Sequence, residues 1–372
     1  MKVIAFYLPQ FHSIPENDKW WGKGFTEWVN VKKAEPLFDK HYQPRVPLNN
    51  NYYNLLDEDV LKWQVDLANK HNVYGFCFYH YWFSGKKLLE KPVEKFLENK
   101  DLKTHYCLCW ANEHWTNVWA NGNAKVIMEQ SYGKQEDWKE HFDYLLQFFK
   151  DERYICENNR PLLVIYRPEL IDCLEKMLNY WNELAKENGF DGIDFAYQNV
   201  SYALSDKRND SLFKYAIEYQ PNWALALQNK SRLQNFKKEI LLFFEKRLKI
   251  NMREKLQKFS DLTIEDYDKI WDFILNMKPS SDISVPGAFV DWDNTPRKGK
   301  RGLVINNATP EKFEKYLKKL IVKAKNEYKK DMIFIFAWNE WAEGGYLEPD
   351  SKYGCKYLEA IRNALKDDLG NK

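Results

Sequence analysis

Two glutamates three residues apart, Glu340 and Glu343, stand just past the apolar run Ile333-Phe334-Ile335-Phe336-Ala337, in the segment Trp338-Asn339-Glu340-Trp341-Ala342-Glu343-Gly344. If the chain turns there, both carboxylates face one cleft. A carboxylate pair is the usual equipment for cleaving a glycosidic bond: one protonates the leaving oxygen, and the other acts on the far side as nucleophile or base. Burial between Trp338 and Trp341 would raise the pKa of one of them and keep it protonated as the acid. The plainer account of the same residues is the first turn of a helix, where the dipole favours glutamate. Glu113, in Asn112-Glu113, is an internal competitor, pairing with Glu340 from a different strand; its plainer account is a ligand contact or a salt bridge.

Other chemistries find less support. Asp291-Trp292-Asp293 matches the short Asp-x-Asp pattern of metal-dependent, nucleotide-sugar-using transferases, and is read here as sugar-binding or rim structure because so short a pattern recurs by chance. The seven histidines show neither H-x-x-x-H nor H-E-x-x-H spacing, so no zinc site and no metal is expected. No G-x-S-x-G occurs. No cofactor is expected.

Positioning such groups requires a scaffold, and the hydrophobic pattern supplies one. Strand-like runs at Val3–Tyr7, Val73–Phe78, His105–Trp110, Leu162–Tyr166, Ile193–Tyr197, Ala216–Tyr219, Gly287–Asp291 and Met332–Trp338 alternate with helical patterns near Asp57–Lys70, Lys87–Asn99, Lys134–Lys150, Glu169–Glu187, Glu311–Tyr328 and Lys352–Asp367. Asp57 and Thr309 are expected helix N-caps, with Pro310 at the first helical position. Eight strands alternating with helices predict an α/β fold, a single (β/α)8 TIM barrel spanning 1–372. A long, loop-like first connection at 8–56 and a helical rim insertion at about 222–285 account for the length beyond the ~250 residues typical of such barrels. A doubly wound sheet would want a glycine-rich phosphate loop after the first strand, where Leu8-Pro9-Gln10-Phe11-His12 stands instead.

In a barrel the active site lies at the C-terminal ends of the strands. Those ends carry Tyr7, Gln10 and His12; Tyr79, His80, Tyr81 and Trp82; Trp110, Asn112, Glu113 and Trp115; Tyr166 and Arg167; Gln198; Tyr219; Asp291 and Trp292; and Trp338, Asn339 and Trp341. Hydrogen-bonding groups interleaved with rings are what a polyol ligand needs. The 16% aromatic content fits the same reading. Each residue taken singly could equally be a satisfied core or rim group.

Charge and composition exclude other classes. With 56 basic against 54 acidic residues, no basic excess marks a nucleic-acid binder, and none is expected. Lys315–Lys330 alternates with apolar residues as the wet face of a helix. No run approaches the roughly 18 apolar residues of a membrane span. The six cysteines form no C-x-x-C pair and read as free thiols suited to a reducing compartment. The apolar run at Met1–Tyr7 is short for a signal peptide, so the chain is expected to be cytoplasmic. Nothing sets an oligomeric state.

Four segments carry a family resemblance: Ala5-Phe6-Tyr7-Leu8-Pro9-Gln10-Phe11-His12; Trp20-Trp21-Gly22-Lys23-Gly24-Phe25-Thr26-Glu27-Trp28; Phe78-Tyr79-His80-Tyr81-Trp82; and Trp338 to Gly344 with Leu347-Glu348-Pro349. They resemble the WbsX-type proteins, which are similar in turn to glycoside hydrolase family 99, the endo-α-mannosidases. The resemblance runs from Met1 to about Leu365. It implies a (β/α)8 barrel, no metal, and retention of anomeric configuration. It maps onto Glu340 a base that deprotonates the sugar 2-hydroxyl to form a 1,2-anhydro sugar, and onto Glu343 the acid that protonates the leaving group. Trp28 and Glu348, within the shared motifs, join the candidate substrate contacts. Ala342 stands where the hydrolases more often carry His. The partner so implied is an oligo- or polysaccharide with α-mannose-like linkages. An alternative follows from the same resemblance, because WbsX-type proteins are often encoded with O-antigen or capsule assembly: a glycosyltransferase of surface-polysaccharide synthesis. A third is a sugar-binding barrel without catalysis.

Overall fold

The computed structural model describes residues 1–116, 126–200, 209–228 and 262–369. Eight apolar runs form the parallel strands of the barrel: β1 (Lys2–Tyr7), β2 (Gly75–Phe83), β3 (His105–Trp110), β4 (Arg160–Ile165), β5 (Asp194–Asn199), β6 (Tyr215–Glu218), β7 (284–289, as Ser284–Val285 and Gly287–Phe289) and β8 (Met332–Phe336). Each neighbours the next in chain order, and β8 pairs with β1 through Lys2↔Met332 to Ala5↔Ile335. The ring closes through β7, whose first half pairs with β6 and whose second half pairs with β8. Pro286 separates the halves: it has no N–H to give the ladder, though its carbonyl accepts from the Phe334 amide at 3.2 Å. Gly287 lets β6 and β7 approach, since a Cβ there would sit 1.8 Å from the Glu218 carbonyl oxygen. Strands such as β1 and β8 are buried on both faces, by the barrel interior and by the outer helices, which is why they read as continuous apolar runs rather than alternating ones.

The eight expected strands are all present, and so is the expected barrel. Helices cover them at Glu58–Lys70, Lys91–Glu98, Gln135–Phe149, Leu174–Glu187, Tyr267–Asn276, Pro310–Lys323 and Lys356–Leu369. Asp57 caps the first of these by accepting from the Asp59 amide at 3.0 Å. Thr309 caps another by accepting from the Lys312 amide at 3.3 Å.

Three departures bear on the site. β2 runs on to Phe83, beyond the expected end at Phe78, and folds back through Ser84 and Gly85 as a hairpin with Lys86–Leu88. The first connection is not merely loop: it holds the helices Pro15–Trp21 and Glu27–Lys32. Of the expected rim insertion, 229–261 lies outside the described residues. Its helix Tyr267–Asn276 packs on the outer layer, with Trp271 stacked on Tyr316 at 5.5 Å. Strand Thr263–Asp266 joins Leu303–Asn306 and Trp292–Asp293 in a small separate sheet, which carries the short helix Thr295–Lys298 after β7.

Candidate active site

The C-terminal ends of the strands surround a cleft of about 260 Å³. Glu340 and Glu343 line it. The chain leaves β8 and makes a tight turn at Trp341–Glu343, with Gly344 at φ +73. Asn339 fixes the entry to that turn: its Oδ1 accepts from the Leu8 amide at 2.7 Å, and its Nδ2 donates to the Leu8 carbonyl at 3.0 Å. This locks the end of β8 to the end of β1.

One guanidinium organises the acids. Arg297, on the short helix after β7, donates to Glu343 Oε1 at 2.6 Å, to Glu340 Oε2 at 3.2 Å and to Glu27 Oε2 at 3.2 Å. All four side chains are buried or nearly so. With every group charged, one cation would face three anions in a space that water screens poorly, so the cluster favours holding a proton. Glu340 takes it: burial, opposed by Arg297 and reinforced by the charges of Glu343 and Glu27, pushes its carboxyl up to about 8. Such clustering of a shifted carboxyl with a cation in a cleft is typical of functional sites.

Rings and amides complete the walls. Tyr79, Tyr81, Trp115, Tyr166, Tyr219, Gln10 and Glu113 line the cleft with the two acids. Tyr81 stacks on Trp115 at 5.6 Å. The hydroxyls of Tyr79 and Tyr219 lie 3.3 Å apart, and Gln198 donates to Tyr79 from behind at 3.3 Å. Glu113 is ion-paired with Arg167, which also holds Glu169, so the competitor carboxylate arrives in the cleft already engaged with a cation.

The remaining candidates do not line the cleft. Strand alternation explains most of them, because neighbouring residues point to opposite faces. His80 and Trp82 face outward against the helix Gln135–Phe149, with His80 2.8 Å from His141 and Trp82 stacked on the same ring at 4.5 Å. Trp110 joins that outer cluster at 4.8 Å from His141. Tyr7 turns outward and donates to Gln64 at 2.6 Å. His12 is buried, and burial pushes it down to about 4. Asn112 bridges to the backbone of Arg167, accepting at 2.7 Å and donating at 2.8 Å. Trp292 packs on Phe336.

The Asp-x-Asp pattern is spent on protein partners. Asp291 pairs with Arg45 at 2.8 Å. Asp293 accepts from Gln43 at 2.6 Å and Thr295 Oγ1 at 2.6 Å, and lies 2.9 Å from His41. Burial raises the Asp291 carboxyl, whereas that of Asp293 is lowered because its hydrogen bonds and Arg45 outweigh burial.

Trp28, Trp338, Trp341 and Glu348 form a support beneath the acids. Glu348 is buried and accepts four hydrogen bonds: from Trp341 Nε1 at 2.6 Å, Gln64 Nε2 at 2.6 Å, Tyr53 Oη at 2.7 Å and Trp338 Nε1 at 3.1 Å. Burial pushes its carboxyl up to about 7, against the pull of these donors. Trp28 packs on Trp341 at 5.4 Å and donates to the Tyr53 carbonyl. Glu348→Ala is expected to cost about 2–4 kcal/mol, because it strands several buried donors. A denaturant titration checks this, and an unchanged midpoint would remove Glu348 from the support.

Sequence reading missed Arg297, Asn17, Trp21, Phe25, Glu27 and Asn30, all of which line the cleft. Trp21, Phe25 and Glu27 fall in one of the motifs singled out above; Arg297 carried no local signal.

A barrel whose strand ends gather a buried carboxylate cluster and buried or half-buried rings around one cleft is the framework of a carbohydrate-active enzyme. The chain belongs to the WbsX glycosyltransferase family, which it matches over residues 3–361. It is 34% identical over 371 residues to the uncharacterized protein WxcX of Xanthomonas campestris pv. campestris, in each of two strains, covering 98% of this chain and 49% of the relative. The chain thus spans about half the length of the curated relatives it matches. Among solved structures it is similar to a family 99 endo-α-mannosidase of Bacteroides thetaiotaomicron, with a TM-score of 0.59 at 14% identity, covering 99% of this chain and 97% of that one. A glycoside hydrolase-like protein gives a TM-score of 0.53 at 11% identity over 98% and 93% of the two chains. At such identities the likeness is one of fold, and it agrees with the resemblance drawn from the motifs. Among the described residues no helix is long and apolar enough to cross a membrane.

Proposed function

We propose that this protein cleaves α-mannose-like linkages of an oligo- or polysaccharide with retention, using Glu340 and Glu343 through a 1,2-anhydro sugar. The observation that carries the reading is the shared Arg297: it holds both carboxylates at one cleft wall, with Glu340 raised to about 8. As base, Glu340 takes the proton of the 2-hydroxyl while that oxygen attacks C1. The reactive form has the pair's proton moved onto Glu343, which gives it to the departing glycosidic oxygen. Water then adds at C1, losing its proton to Glu343, and the epoxide oxygen recovers the proton held by Glu340. The attacking hydroxyl is already part of the ring, so little entropy is lost on bringing it to C1. A base near 8 is also better matched to a weakly acidic hydroxyl than an ordinary carboxylate would be.

The sign of the pH dependence follows. The reactive form carries one proton on the Glu340–Glu343 pair, and that proton leaves as pH rises through about 8, so kcat/KM should fall there. A profile that instead climbs through that pH would show that no proton on the pair is needed and remove Glu343 as the acid.

A second reading, transfer of a sugar to a hydroxyl acceptor in surface-polysaccharide synthesis, is favoured by the description of the family. The same anhydro sugar opened by a hydroxyl instead of water would give it. Product analysis on α-mannosides and bacterial surface glycans, with and without nucleotide sugars, separates the two. Cleavage with retained configuration supports hydrolysis. Turnover only with a nucleotide sugar overturns it in favour of transfer.

A further inference from the structure

The first connection contributes more to the cleft than Glu27. Its helix Pro15–Trp21 is tied across the rim by Glu16, which pairs with Lys86 of the β2 hairpin at 2.7 Å. That tie places Asn17, Trp21 and Phe25 on the cleft wall, in the same cavity as Glu340 and Glu343. Asn17 is 1% exposed, and its amide nitrogen Nδ2 has no hydrogen-bond partner. A buried donor without an acceptor is costly, and such a group in a cleft calls for a ligand that supplies one. Beside it Trp21 and Phe25 stack at 5.2 Å, and both line the cleft, with Trp21 only partly buried. A buried N–H donor beside an aromatic plate matches a pyranose, which offers hydroxyl oxygens at its edge and C–H groups on its face.

We propose that Asn17, Trp21 and Phe25 form a second sugar subsite, which takes the pyranose unit next to the one held at Glu340 and Glu343, with Asn17 Nδ2 donating to one of its hydroxyls. The inference rests on the reading of the cleft as a saccharide site, but not on mannose as the sugar. The subsite belongs to the inserted first connection rather than to a barrel strand, so the barrel supplies the chemistry and the insertion reads the length of the chain.

The test is calorimetric titration with paired probes: methyl α-mannoside and α-1,2- and α-1,3-mannobiose, then the glucose- and galactose-configured equivalents. The expected result is that one disaccharide binds about tenfold more tightly than its monosaccharide. Asn17→Ala should weaken that disaccharide by about fivefold to tenfold, the usual worth of one neutral hydrogen bond, while the monosaccharide moves by less than about twofold. Trp21→Ala, which removes a partly exposed ring rather than a core group, should do the same. A gain seen only with glucose- or galactose-configured pairs, and lost in the variants, keeps the subsite and overturns the mannose reading. No disaccharide gain in the parent protein overturns the subsite, as does an equal loss of both probes in the variants.

Discussion

Glu340→Gln is expected to lower kcat/KM by at least about 10², and Glu343→Gln by a comparable factor, the usual order for a group that moves a proton in the transition state. Glutamine keeps the size and much of the hydrogen bonding but cannot take or give the proton. Saccharide binding should therefore survive where turnover does not, and titration of the Glu340→Gln protein reads that directly. The two substitutions should not multiply, because both residues serve one proton-coupled step. Near-normal turnover in either variant would sink the pair. Collapse in Glu113→Gln instead would move the chemistry to the end of β3, despite the ion pair that Glu113 makes with Arg167.

Arg297→Met carries the other large effect. The guanidinium is the cation that Glu27, Glu340 and Glu343 share. Without it three carboxylates face one another in a poorly screened space, and breaking a buried ion pair from one side costs about 3–5 kcal/mol of stability. The cluster answers by taking up protons. Arg297 pulls the Glu340 carboxyl down, so its loss must push that carboxyl above about 8. The falling limb of the pH profile should then move to higher pH, and kcat/KM at pH 7 should fall by about 10² or more. Arg297→Lys should restore part of the charge effect but not the fork that reaches three acids at once. A folded Arg297→Met protein with the parent's pH profile would show that the guanidinium is only a surface counter-ion.

The barrel was legible because each strand is an apolar run buried on both faces, and eight such runs between helical patterns leave few alternatives. The acids were legible because they abut the end of β8. What the linear reading could not do was choose a face. Tyr79-His80-Tyr81-Trp82 looked like one ligand-binding string. Its alternation sends Tyr79 and Tyr81 to the cleft and His80 and Trp82 to the helix behind. Arg297 was invisible for a different reason: in Pro296-Arg297-Lys298-Gly299-Lys300-Arg301 it sits among cations that read as solvated charge. Only the turn after β7 brings it within 3.2 Å of a glutamate 43 positions away. Asn17 lies in a stretch without periodicity, where nothing local reports burial. Trp28, conspicuous in its motif, faces Trp341 rather than the cleft.

The buried Glu348 has a consequence for how this sequence can diverge. Its four donors come from Tyr53 in the first connection, Gln64 on an outer helix, and Trp338 and Trp341 on either side of Glu340. Exchange of any one of them leaves an oxygen or an N–H stranded in the interior, so single steps away from the set are penalised while joint ones are not. The five positions are therefore coupled as one heritable unit: lineages should either retain it whole or replace it whole. The segment bearing the acids inherits that restraint without having to touch a substrate.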